Sequence, residues 1–180
     1  MEGMTVNKNP IPGSATFVAL TQTYYDNYDW TNKTYTAVYN NKLDAGSNAH
    51  VVAMPSQAYT KTMGLTTGLK VRTISDPDNL AAGNWLSTVN FYDDRNRVIQ
   101  IYNETQKGTD ITTNLYDFTG KILSTYLDHN NATGTPSGVR IKTNMEYDHA
   151  GRLLEAWKII NDVAGKKALI VKNEYDELGQ

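Results

Sequence analysis

The sequence predicts an all-β fold, with antiparallel β-hairpin repeats forming a curved one-layer strip. Three observations carry that reading. The 180 residues include 22 Thr, 18 Asn and 12 Tyr, whereas Leu, Ile, Val and Phe together number only 37. β-branched and aromatic residues favour pleated strands, Asn tolerates turns, and so small an apolar complement suits a thin sheet better than a thick core. A single phrase, Tyr-Asp-x-x-Gly followed by Arg, Lys or Gln, returns four times in the second half, its tyrosines 24, 31 and 28 residues apart. Spacings of that size mark a repeated supersecondary unit. Finally, an aromatic residue follows ten residues after the tyrosine in the first three copies, at Tyr102, Tyr126 and Trp157.

Taken in order, the chain divides into a flexible lead over residues 1–15, a β-rich region with degenerate repeats over 16–84, and repeat hairpins over 85–180, the last of them truncated. The lead is punctuated by Asn7, Asn9, Pro10, Pro12, Gly13 and Ser14 and shows no periodicity. Thr16 to Tyr25 is β-prone and breaks at Asp26-Asn27, where Tyr25-Asp26 reads as a worn copy of the phrase. Thr34 to Tyr39 reads as a further strand, and His50 to Met54 as a short apolar run ending at Pro55. Met63 to Ile74 alternates Leu69 and Val71 with Lys70 and Arg72, a strand with one wet face. Asp76 to Asn79 and Gly83-Asn84 then make a loop. A calcium loop would need an oxygen ligand where Leu80 stands, so an ordinary turn is expected.

The repeats begin at Trp85. Their copies are Tyr92-Asp93 with Asn96-Arg97, Tyr116-Asp117 with Gly120-Lys121, Tyr147-Asp148 with Gly151-Arg152, and Tyr175-Asp176 with Gly179-Gln180. An Asp at the first position of a type I turn bonds backbone two residues on, and Gly three residues later takes the left-handed conformation that restarts a strand through a bulge. Asn96 replaces Gly in the first copy because Asn enters that region at modest cost. This turn sets Tyr92 opposite Val98. It is also expected to place Tyr92 and Tyr102 on one face, with Phe91 and Val89 meeting Ile99 and Ile101. Connections at the other edge vary in length around Gly108, Gly134 and Gly165, which leaves one edge standardised and the other free.

Charge and composition exclude several functions. The 17 basic and 19 acidic residues give a net charge of −2 without a run of either sign, so no pull toward nucleic acid or an anionic membrane is expected. No stretch is apolar for long enough to insert in a bilayer, and Met1 to Pro12 lacks the pattern of a signal peptide, so if the natural protein is exported its signal is expected to lie outside this chain. With no cysteine there are no disulfides, thiol nucleophiles or thiolate metal sites.

The residues of the phrase, with Leu or Ile close behind Gly-Arg or Gly-Lys, resemble the YD repeats of Rhs-family proteins. The resemblance runs from about Trp85 to Gln180, best at Tyr116 to Leu123 and Tyr147 to Leu154. It implies hairpins joined into a long strip that coils into a hollow shell, enclosing a toxic polypeptide in bacterial relatives or acting at cell surfaces, with carbohydrate binding in some. By that resemblance the chain is a non-catalytic segment of a secreted or cell-surface bacterial protein, its main partner the remainder of its own parent chain. The shell's processing site has no counterpart here, so no catalytic residue, cofactor or metal is expected.

Read from chemistry alone, the alternatives are weaker. His129 and His149 each follow an Asp, but neighbours on a strand point to opposite faces and His149 sits in a turn. His50 lacks partners for a metal. Asp93, Asp117, Asp148 and Asp176 already cap their own turns, and their spacing does not identify the paired carboxylates of a hydrolase. Tyrosine rows could stack sugars, which makes a carbohydrate-binding surface module the alternative function, yet they also pack a thin sheet. Open sheet edges lead to an expectation of curling or self-association.

Overall fold

The computed structural model describes residues 18–131 and 133–176. The lead over residues 1–15 and Gly179 of the fourth copy lie outside them. Nine strands form one open antiparallel sheet in simple sequence order. They are β1 (Thr21–Asp26), β2 (Thr62–Arg72), β3 (Trp85–Tyr92), β4 (Val98–Glu104), β5 (Gly108–Tyr116), β6 (Ile122–Asn131), β7 (Gly138–Tyr147), β8 (Leu153–Ile160) and β9 (Lys167–Lys172). The all-β, antiparallel hairpin architecture expected from the sequence is therefore present.

Residues 27–61 depart from the expectation of further repeats. They form a strap that leaves β1, crosses one face of the sheet and returns to β2. The Thr34 to Tyr39 segment is not a strand: Ala37–Lys42 is a 3-10 helix whose first turn is capped by the Thr36 hydroxyl, which accepts from Val38 N. Its β-prone residues are spent on packing instead, since Tyr35 meets Phe91 edge-on and Tyr39 stacks on Tyr126. Of the His50 to Met54 run, Val51 alone forms an isolated bridge, to Asp117. Tyr25-Asp26 makes no tight hairpin either, because β1 pairs with β2 across the whole length of the strap.

The strap defines the core. Val89, Phe91, Ile99, Leu115, Leu123 and Tyr126 are buried, and Trp30, Tyr28, Tyr35 and Tyr39 lie over that face. Polar side chains tie the two layers together. Trp30 Nε1 donates to Thr67 Oγ1 at 3.1 Å, and the Gln100 amide both accepts from Thr36 N and donates to Thr36 O, each at 2.9 Å. A buried Gln with both ends bonded avoids the cost of a desolvated amide. Farther out, Lys33 pairs with Glu104 at 2.9 Å and Asp44 accepts from Asn144 Nδ2 at 3.1 Å. On the other face, pairing aligns Ile101, Thr112, Leu127, Ile141 and Ile160 in a row across five strands.

The register corrects one expectation about faces. Tyr92 does pair with Val98, but Phe91 pairs with Gln100 and Val89 with Tyr102, not with Ile99 and Ile101. A second irregularity, with Ile99 as the extra residue, follows immediately after the turn, and the same shift recurs between Leu115 and Tyr116 and between Glu146 and Tyr147. A bulge places an additional residue on one strand and resets the alternation beyond it. Tyr102 consequently shares the strap face with Phe91, whereas Tyr92 falls in the alternate set with Asn90.

Candidate functional site

The repeated phrase is the most elaborated feature of the structure, and it builds a clamp between successive hairpins. Within each copy the turn chemistry is local. Asn96, Gly120 and Gly151 have φ of 61°, 91° and 80°. Each is preceded by an Asp whose carbonyl accepts from it and whose own N–H bonds the residue after it, as in Asn96 N to Asp93 O at 3.2 Å and Asp93 N to Arg97 O at 3.0 Å. Asp93 Oδ1 accepts from Arg95 N and Arg97 N, Asp117 Oδ1 from Thr119 N and Lys121 N, and Asp148 Oδ1 from Arg152 N. The second carboxylate oxygen of Asp93 and of Asp148 holds the Nε of Arg97 and Arg152, each at 2.7 Å.

Those bonds set the acids' ionisation. Burial pushes the Asp117 carboxyl up, but the Thr119 hydroxyl and the Lys121 and Thr119 amides outweigh it, leaving it below the ordinary value of 3.8. Asp148 is held down chiefly by the N–H of Arg152.

The tyrosine acts outside its own hairpin. Tyr116 Oη donates to Val98 O, Tyr147 Oη to Ile122 O and Tyr175 Oη to Leu153 O, each at 2.9 Å and each reaching the residue that follows Arg97, Lys121 or Arg152 of the preceding copy. Tyr92 Oη reaches back in the same way to Thr66 O on β2, at 2.7 Å. These carbonyls sit where adjacent hairpins part: the β4–β5 ladder, for example, stops at Gln100 and Thr113. The side chain completes the ladder where the backbone does not, because a carbonyl left without a donor would be costly. Burial raises the Tyr116 and Tyr147 phenols above their ordinary value, with the Asp117 charge adding to the shift at Tyr147.

An Asn two residues before the tyrosine makes the same contact. Asn90, Asn114 and Asn173 donate through Nδ2 to Thr66 O, Val98 O and Leu153 O at 3.2, 3.0 and 2.9 Å. In the third copy that place holds Met145, and Tyr147 is the one side-chain donor to Ile122 O among the described residues. The arginine of one copy then covers the ring of the next: the Arg97 guanidinium lies 4.9 Å from the centroid of Tyr116 and that of Arg152 4.4 Å from Tyr175. Lys121 instead passes over Gly151, where a Cβ would meet its side chain at 2.5 Å. Sequence reasoning assigned the tyrosines to lining a face and missed the Asn residues, although the Asn-x-Tyr-Asp spacing in three of the four copies was open to view.

The aromatics ten residues on have separate tasks. Tyr126 is buried under Tyr39 and donates to Asp162 Oδ2, Tyr102 lies 4.8 Å beneath Lys33 Nζ, and Trp157 donates to Glu155 and carries Lys167 over its ring.

The strap uses the phrase as well: Tyr59 N donates to Tyr92 O, Val52 N to Tyr116 O and Phe118 N to His50 O. Between these pins lies an open groove lined by Met54, Pro55, Tyr59, Asp93, Arg97 and Tyr116. Of its charged groups, Arg97 is paired with Asp93 by side chain and donates to Asp117 O at 2.8 Å. His129 bonds not Asp128 but the cross-strand Asp110, Nδ1 to Oδ1 at 2.5 Å, while Asp128 accepts from Tyr39 and pairs with Arg140. His149 is exposed in its turn, and His50 packs edge-on against Phe118. Among the described residues no three His, Cys, Asp or Glu side chains are grouped to hold a metal, and no helix is long and apolar enough to cross a membrane. Comparison with protein-family models, with curated proteins and with solved structures gives no match.

Proposed function

We propose that the chain is a structural module without catalytic activity, a segment of an Rhs-type YD-repeat shell that encloses or displays another part of its parent protein at or beyond a bacterial cell surface. The clamp is the observation that carries this reading. A phrase whose Tyr and Asn complete the preceding hairpin, whose Asp and Gly close the current turn and whose Arg covers the next Tyr is a unit for propagating a sheet. In such a repeat array each unit contacts only its neighbours. Carbohydrate binding on tyrosine rows ranks below it, because the hydroxyls of Tyr28, Tyr35, Tyr39, Tyr92, Tyr116, Tyr126, Tyr147 and Tyr175 are all engaged within the chain. Cross-linking mass spectrometry and limited proteolysis on the natural full-length protein test the proposal. Cross-links from this sheet to a protease-protected segment elsewhere in the parent are expected. A parent whose other segments are all cleaved freely and cross-link nowhere to the sheet would sink it.

A further inference from the structure

The strap shows how a copy of the phrase receives another stretch of chain. At the second copy Val51 bridges to Asp117, with Val52 N donating to Tyr116 O at 2.9 Å and His50 O accepting from Phe118 N at 3.0 Å. At the first copy Tyr59 N donates to Tyr92 O at 2.8 Å. The strap therefore runs along the turns and meets one tyrosine carbonyl after another. Short of the third copy it turns away: Asn48 N bonds Ala45 O, Gly46 takes φ 58°, and Asp44 accepts from Asn144 Nδ2 instead.

The third copy keeps its receiving groups. Tyr147 stands opposite Leu153 as Tyr116 stands opposite Ile122, each beside a bulge, and the β6–β7 ladder stops at Ser124 and Asn144. Asp148 N bonds Arg152 O within the hairpin, and successive residues of an antiparallel strand turn their backbone groups to opposite sides. The Tyr147 carbonyl thus points into the fork between β6 and β7. No strap residue reaches it, and His149 N, the counterpart of Phe118 N, has no partner among the described residues. A cleft of about 460 Å³ lies there, with Ala45 and His50 of the strap on one side and Leu123, Glu146, Tyr147 and His149 on the other. One change along the repeat marks what the cleft selects. The residue before the tyrosine is Phe91 in the first copy and Leu115 in the second, both buried, but Glu146 in the third, exposed and unpaired among the described residues. Glu146 faces Glu155 across the β7–β8 pair, and like charges so opposed destabilise a sheet. No Lys or Arg lines the cleft.

We propose that the third copy of the phrase takes up an extended polypeptide segment bearing a lysine or arginine. The segment bridges to Tyr147 O and His149 N as the strap bridges to the second copy, and sets its cation beside Glu146 and Glu155. Backbone bonds hold a segment docked in this way, and the side chains beside it select the sequence. The site lies between interior strands of the sheet and does not depend on the shell reading.

The test is amide NMR of the isotope-labelled 180-residue chain, titrated with a short peptide of valine and threonine carrying one arginine, and with its counterpart carrying glutamate. Saturable shifts centred on the His149 amide are expected. The arginine peptide is expected to bind about tenfold more tightly, its charge being attracted where the other is repelled. In Glu146→Gln, Glu155→Gln the two peptides are expected to come within about twofold of each other. Proline suits the second position of a type I turn, where His149 stands. His149→Pro therefore removes the receiving N–H and is expected to weaken the arginine peptide about fivefold, read from the Ala150 amide. His149→Ala keeps the N–H and is expected to bind as the parent does, with circular dichroism verifying that each variant keeps its sheet. Absent saturation, equal binding of the two peptides, or binding unchanged by His149→Pro overturns the proposal. So do shifts centred on the Phe118 amide, which would mean that the peptide displaces the strap.

Discussion

The hairpins of β3 to β6 and those of β7 to β9 carry the same phrase, the same bulged turn and the same tyrosine contact, yet their burial is opposite. Beneath the strap, Val89 and Tyr126 are 0% and 1% exposed; on the far side Ala156 is the one buried apolar residue and β9 is exposed almost throughout. The phrase therefore fixes geometry and leaves burial to whatever lies across the sheet. A one-layer antiparallel sheet buries a face only when another element covers it, and here 35 residues of strap cover little beyond β7.

That contrast makes a graded set of expectations. Phe91→Ala, which removes the ring that Tyr28 and Tyr35 pack on, is expected to cost ~3–5 kcal/mol in urea unfolding, whereas Leu169→Ala stays within about 1 kcal/mol. Equal losses at the two sites would end the distinction between covered and uncovered hairpins. Alkali should act on the strap first. Burial pushes the phenols of Tyr28 and Tyr39 up to about 12, the Tyr92 phenol adding to the shift at Tyr28 and Asp128 to that at Tyr39. Their folded values exceed the unfolded ones, so the stability they contribute is complete below the ordinary value of 10 and is lost as pH rises through about 12. Hydrogen exchange across that range is expected to show residues 27–61 loosening before β7 and β8 do. Simultaneous loss would mean that the strap has no separate stability.

Smaller effects probe the clamp. Tyr147→Phe leaves Ile122 O without its side-chain donor and is expected to cost about 1–2 kcal/mol. Tyr116→Phe should cost less, since Asn114 still reaches Val98 O, and the pair Asn114→Ala, Tyr116→Phe should exceed the sum of its single changes. Gly120→Ala, at φ 91°, is expected to lose about 1–2 kcal/mol. Asn96→Gly should fall within about 0.5 kcal/mol, because Asn already tolerates that conformation. Acid gives the gentlest change: Asp117 and Asp148 lie below their ordinary 3.8, so what they add is present at neutral pH and disappears as pH falls below about 4.

The hairpins from β3 onward were legible because Asp, Gly and the flanking β-prone runs act locally, within six or seven residues of chain. The strap was not legible. Thr34 to Tyr39 has strand propensity, but Tyr35 and Tyr39 gain more from stacking on Phe91 and Tyr126, which lie far off in sequence, and tertiary packing of this kind overrides local preference. The faces of Tyr92 and Tyr102 were misjudged for a different reason. The bulge at Ile99 has no marker residue, being an apolar side chain beside a Gln whose burial depends on Thr36. The cross-strand link from His129 to Asp110 was equally hidden, since it depends on β5–β6 register and not on the adjacent Asp128.

Because turn and clamp both lie at the phrase edge, the position of each hairpin is decided there, and the loops of the opposite edge carry no register information. Those at Thr105 to Lys107 and Thr133 to Ser137 differ in length and yet join hairpins of the same build. Doubling a flexible loop costs only about 0.6 kcal/mol in closure entropy. The fold is in that respect a display scaffold, in which foreign peptides grafted into these two loops would be presented without disturbing the frame that carries them.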